Sequence, residues 1–189
     1  MKLAKLLFTV AALGSLVACG GGNGGATSGT EITRNEFLEQ TANLPVSPYT
    51  EVTVTWDINT SFGGEIETDK GTGVFTIDPV NGWSYKSGDK PKSEEIVPIG
   101  VKAYDFALEV DPEDPHYPVG VVSKFYKDPF MLTTKGTGSQ EITEGYNVTM
   151  TVDNEARFDE YGNCVYYKNN SSSKELMMTS NILLTASYK

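Results

Sequence analysis

From Glu51 to Asn59 the chain alternates strictly: Val52, Val54, Trp56 and Ile58 are apolar, while Glu51, Thr53, Thr55, Asp57 and Asn59 are polar. A period of two places all four apolar groups on one face of a β-strand. Gly63-Gly64 turns the chain, and Gly73 to Ile77 reads as a partner strand ending at Asp78-Pro79. The same grammar returns in the second half, where Tyr146, Val148, Met150 and Val152 face one way and Ala156 and Phe158 keep the parity. Asp159 to Asn163 forms a turn with Gly162 free to take a positive φ, leading into Cys164-Val165-Tyr166-Tyr167. Leu176, Met178, Ile182, Leu184, Ala186 and Tyr188 share one parity and predict a last strand of up to 14 residues.

Helical signals are fewer. Thr33 followed by Glu36 has capping-box spacing and opens a short amphipathic stretch, Phe37 to Leu44, that Pro45 stops. Between residues 94 and 127 periodicity does not choose: Ile96, Ile99, Ala103, Phe106 and Val110 keep helical spacing, whereas Tyr104, Phe106, Leu108 and Val110 keep strand spacing. Residues 111–118 carry Pro112, Pro115 and Pro118 and are a loop, because proline denies the backbone its donors. Phe130 to Thr134 starts the next strand, and Lys-Gly-Thr-Gly at 70–73 and 135–138 reads either as a trace of duplication or as small residues beside strand ends. The pattern therefore predicts an α+β fold: a curved, mostly antiparallel sheet, a short N-terminal helix, and one or two helices in the middle of the chain.

The first residues change where that domain is expected to work. Lys2 and Lys5 precede an eight-residue, mainly apolar stretch, Leu6 to Leu13, and then Leu16-Val17-Ala18-Cys19. This is the layout of an export signal. The stretch falls short of the roughly 20 apolar residues a membrane span needs, and no later segment supplies them, so an integral membrane protein is not expected. Leu-Val-Ala-Cys resembles the lipobox of bacterial lipoproteins, which implies cleavage after Ala18 and acylation of Cys19. The organisation expected is a signal peptide over 1–18, a lipidated Cys19 and Gly-rich tether over 19–30, and one domain over 31–189. The tether holds six glycines and averages on the order of 20 Å in length.

Loss of Lys2 and Lys5 with the signal takes the formal charge from −10 to −12. So acidic a surface repels nucleic-acid phosphates and anionic headgroups, which excludes nucleic acid as a partner and makes the acyl chains, not charge, the means of attachment. With Cys19 acylated, Cys164 is the only thiol left; no internal disulfide forms, and it reads as a small apolar residue. His116 is the only histidine, and no nucleophile is placed beside it by any local motif. Asp111, Glu113, Asp114 and His116 read either as a weak calcium loop or as a charged surface loop, without the glycine of the former or a second His or Cys for zinc. Trp56 and Trp83 read as core residues. No catalytic residue, cofactor or metal site is legible.

The short N-terminal helix, the long antiparallel strands, and Phe125-Tyr126-Lys127-Asp128-Pro129-Phe130 opening the second run of strands together resemble the half-barrel fold of the LolA/LolB lipoprotein carriers and LprG-type lipid-binding lipoproteins. The ending Phe158-Asp159-Glu160-Tyr161-Gly162 followed by two strands is similar to lipoproteins of that kind. The resemblance spans most of residues 31–189 and carries no site motif. It implies an incomplete barrel whose apolar concave face takes up acyl chains under a helical cover. Parity nominates Val54, Trp56, Val148, Met150, Ile182 and Leu184 as lining, and the same six are what a packed core would use. The function expected is a noncatalytic lipoprotein on the extracytoplasmic face of a bacterial membrane, anchored through Cys19 and binding a lipid or apolar small molecule. The alternative is a surface structural protein whose acidic loops contact another protein of the cell envelope.

Overall fold

The computed structural model describes residues 29–78, 82–92, 94–114, 117–143 and 146–189. The signal stretch, Cys19, the tether up to residue 28, and His116 lie outside the described residues. Nine strands form one sheet: β1 (Thr30–Ile32), β2 (Glu51–Phe62), β3 (Glu65–Asp78), β4 (Gly82–Gly88), β5 (Val119–Lys127), β6 (Met131–Thr143), β7 (Tyr146–Phe158), β8 (Cys164–Ser173) and β9 (Met178–Tyr188). Their order across the sheet is β1-β5-β6-β7-β8-β9-β2-β3-β4, and every neighbouring pair is antiparallel. The seam between β2 and β9 runs from Val52↔Tyr188 to Phe62↔Met178 and joins two runs of strands that are otherwise separate in sequence. β1 begins at Thr30, so a strand takes up the last residue expected in the tether.

Two helices and a 3₁₀ segment lie on one face. α1 (Arg34–Thr41) is opened by the capping box expected at Thr33: its hydroxyl accepts from Glu36 N at 3.2 Å while Glu36 Oε2 accepts from Thr33 N at 2.8 Å. The ambiguous middle resolves as a 3₁₀ segment, Glu94–Gly100, followed by α2 (Ala103–Glu109), with strand β5 after the proline loop. Ala103, Phe106, Ala107 and Val110 are buried, which is the i, i+3, i+4, i+7 stripe of a helix, while Leu108, needed inside by the strand reading, is exposed. Arg34 fastens the two helices. Its Nε donates to Ala107 O at 2.9 Å and its Nη2 to Leu108 O at 3.1 Å, at the C-terminal end of α2 where a cation suits the helix dipole. Among the described residues no helix is long and apolar enough to cross a membrane.

The sheet is open and strongly curved. Laid flat, β9 and β4 would stand about 14 Å apart, three strand spacings, yet the Tyr188 and Trp83 rings meet with centroids 6.3 Å apart. Phe37 of α1 touches Phe125 of β5 and Phe158 of β7, and Phe106 of α2 touches Phe158 and Tyr167 of β8. One core cluster thus draws side chains from β2, β3 and β5 to β9 around the helical cover. The two Lys-Gly-Thr-Gly segments lie inside β3 and β6, away from the turns, and their glycines serve close approach. A Cβ on Gly71 would stand 2.6 Å from Trp56 Cζ2, and one on Gly136, whose φ is +145°, only 2.2 Å from Gly120 O.

Candidate functional site

The six residues nominated by parity do point to one face, but they fall into two groups. Val54, Trp56, Ile182 and Leu184 are buried in the main core cluster beneath the helices, where Trp56 stands opposite Leu184 across the β2–β9 seam. Val148 and Met150 belong to a second, smaller cluster with Val121 and Val152, packed against Tyr117, Leu176 and Met178. Buried polar residues of the same inward face stand between the groups: Thr134 on β6, Asn154 on β7, Asn169 and Ser171 on β8, and Ser180 on β9. Tyr117, Ser123 and Thr134 are linked hydroxyl to hydroxyl at 2.6 Å each, and Asn154 Oδ1 accepts from Asn170 N at 3.2 Å. The concave face is therefore apolar at both ends and polar across its middle.

Open space is found at the rim where β5, β7, β9 and β3 end and β6, β8, β2 and β4 begin, and a smaller cleft of about 470 Å³ lies between β1, the start of α1 and β5. A cleft of about 670 Å³ is bounded by residues 41–49 after α1, by residues 99–105 between the 3₁₀ segment and α2, by the β7–β8 turn at 161–163, and by Ile77, Trp83 and Tyr188. None of the six nominated residues lines it. The local chemistry explains its shape. α1 ends at Thr41 with Ala42 as its C-cap, before the Leu44 expected from the pattern, and the chain then passes without regular structure by Val46, 93% exposed, to Tyr49. Tyr49 sits between Tyr161, which it meets edge-on with centroids 5.4 Å apart, and Tyr188, tilted against it at 5.7 Å. Trp83 continues the aromatic wall between Tyr188 and Phe75. Trp56 is a core residue as expected, whereas Trp83 is only half-buried and faces the cleft.

The opposite wall is polar. Lys102 Nζ donates to Asn163 Oδ1 and, at 3.4 Å, to Tyr161 O; Asn163 Nδ2 in turn donates to Asp159 Oδ2 at 2.7 Å and Ser47 Oγ at 3.3 Å. Asp159 Oδ1 accepts from Tyr161 N and Asn163 N, which fixes the turn that carries this wall. Burial holds the Lys102 ammonium below the usual lysine range, opposed by the charges of Asp159 and Asp105. Burial raises the Tyr49 phenol, aided by Glu160 and Asp159. Tyr188 is pushed up further by burial; its hydroxyl hydrogen lies between Ile99 O at 3.0 Å and Cys164 O at 3.1 Å. Both phenols stay neutral at physiological pH and act as apolar rings with one polar tip.

The cleft thus sets an aromatic and aliphatic lining beside the polar group of Lys102, Asn163 and Asp105. Cys164 is fully buried, and desolvation pushes its thiol far above the ordinary range, so it packs and does not attack. Asp111 of the acidic loop pairs with Arg34 at 3.3 Å. Among the described residues no three His, Cys, Asp or Glu side chains group to hold a metal ion. Sequence reasoning missed the cleft because its walls come from segments distant in the chain; the one local hint was Val46 and Tyr49 set between and beside prolines just after a helix.

No protein-family model matches the chain, and no curated protein matches it. Among solved structures, the chain is similar to a LolA superfamily protein from Nitrosomonas europaea, at 9% identity over 84% of this chain and 94% of that one, with a TM-score of 0.25.

Proposed function

We propose that the chain is a noncatalytic lipoprotein, anchored through Cys19 on the extracytoplasmic face of a bacterial membrane, that holds a lipid or other apolar ligand at the open end of its curved sheet. The observation that carries the reading is the cleft: about 670 Å³, within the range of pockets that take small ligands, with an aromatic and aliphatic wall facing a single cation at Lys102. The resemblance of Leu16-Val17-Ala18-Cys19 to a lipobox supports the location. Val54, Trp56, Ile182 and Leu184 lie deeper than the cleft, packed beneath the helices, and Val148 and Met150 stand in the smaller cluster.

The test is native mass spectrometry of residues 29–189, produced in bacterial cells without the anchor, together with titration of a naturally fluorescent polyene fatty acid read by energy transfer from Trp83. The expected results are a stoichiometric adduct of lipid mass, transfer that falls in Trp83→Phe to the part that the remaining donor Trp56 supplies, and several-fold weaker binding in Val46→Asp, an exposed position where the fold is indifferent. A bare mass with no transfer would overturn the reading.

A further inference from the structure

The rim that carries the cleft is also the rim from which the chain leaves toward Cys19. β1 pairs antiparallel with the end of β5, Thr30 opposite Lys127, so the polypeptide preceding Thr30 runs off the sheet at the β5–β6 turn. Gly29 confirms the place: its Cβ direction lies 2.9 Å from Lys127 O and 3.4 Å from Pro129 O. The β7–β8 turn and the segment leading into β2, which bound the cleft, stand at this same end of the strands.

From this placement, and resting on the anchored reading above, we infer that the domain stands with its cleft end toward the lipid surface, so that the cleft exchanges its ligand directly with the bilayer that holds the anchor. Ten residues, Cys19 to Ser28, lead from the membrane-embedded end to Gly29. Ten residues reach at most about 35 Å even when fully extended. The opposite end of the sheet, at Gly63-Gly64, lies roughly 45 Å along β3 from the exit rim. With a tether that short, the rim stays near the headgroups and the far hairpin is carried outward. The rim also presents Val46, 93% exposed, on the outer lip of the cleft, an apolar side chain suited to the interface.

The far hairpin supplies the rival arrangement, since Phe62, Ile66 and Met177 are exposed there and Gly63 N donates to Met177 O. An insertion by that tip would reverse the orientation.

The two are separated with the full mature lipoprotein in dioleoylphosphatidylcholine vesicles containing a headgroup spin-labelled phosphatidylcholine, using bimane on single variants Val46→Cys and Ile66→Cys. Cys164 is buried and Cys19 acylated, so neither takes the label. Quenching at position 46 is expected to exceed that at 66 by at least threefold. Hydrogen exchange of the unsubstituted lipoprotein provides a second measurement: slowing at 44–49 and 161–163 on vesicles, with none at 62–66. Equal or reversed quenching, or slowing confined to 62–66, would overturn the orientation. Mass analysis of the same sample reads acylation at Cys19, and its absence removes both the anchor and the orientation. Rim quenching without fatty-acid binding would retain the orientation and reject the ligand reading.

Discussion

Phe37 is the side chain on which the helical cover rests, and its truncation has a calculable effect. It is fully buried, and its ring meets Phe125 at 5.5 Å, Phe130 at 5.6 Å and Phe158 at 6.4 Å between centroids. Phe37→Ala removes the transfer energy of the ring and leaves a cavity walled by three other rings, which together cost about 3–5 kcal/mol in well-packed cores. The upper half of that range is expected, because the ring pairs add to area burial and the surrounding sheet is too continuous to collapse into the space. With a urea slope of about 2 kcal/mol/M, the unfolding midpoint should fall by about 2 M, followed by tryptophan emission. Phe37→Leu, which fills most of the space, should lose less than half as much. A loss under about 1 kcal/mol for Phe37→Ala would refute the reasoning, because α1 would then be a separable strap and not part of the core that shapes the cleft.

Arg34→Ala strands two carbonyls at the end of α2 and an ion pair to Asp111, and should cost about 2 kcal/mol; Arg34→Lys recovers only part, since a lysine has no fork for two acceptors, and urea titration of both variants checks this. Glu36 is held below the usual carboxylate range first by the hydrogen bond from Thr33 N, then by the Thr33 hydroxyl. Its contribution is therefore present above the unfolded-state value and is lost as pH falls through the lower folded value, so the stability gap between the parent and Glu36→Ala should narrow from pH 7 to pH 3. A gap independent of pH would dismiss the capping box as its source. Cys164 should resist iodoacetamide at pH 8 in the folded protein and react on unfolding in urea, as mass shift reports; rapid labelling of the native protein would contradict its burial.

Legibility in the sequence followed the physics of each segment. β2, β7 and β9 were readable because one face meets a core and the other water, which writes a period of two into the chain. The outer half of β3, Glu65 to Lys70, was not, because most of it is exposed on both faces and carries no alternation. Residues 103–110 satisfied two periods at once, and only contact with Phe158 and Tyr167 decides for the helix. Asn154, Asn169 and Ser171 point inward yet look like surface residues, since a polar side chain gives no sign of its direction when its partner lies on another strand. The cleft was invisible for the same reason on a larger scale: Leu44, Val101, Tyr161 and Tyr188 meet only through tertiary packing.

The β2–β9 seam bears on how the chain comes to be folded at all. Each rung of it joins residues more than a hundred positions apart, and the last strand to be made closes onto the first long one. Closing so long a loop is slow compared with forming hairpins, so the β2–β4 meander and the β5–β9 meander can each assemble locally while the molecule remains two unsealed halves. Until the C-terminal strand is in place, β2 and β8 each expose a bare edge that other chains could pair with. Completion is withheld until the final strand arrives, and a chain cut short before Met178 would be left with both edges open.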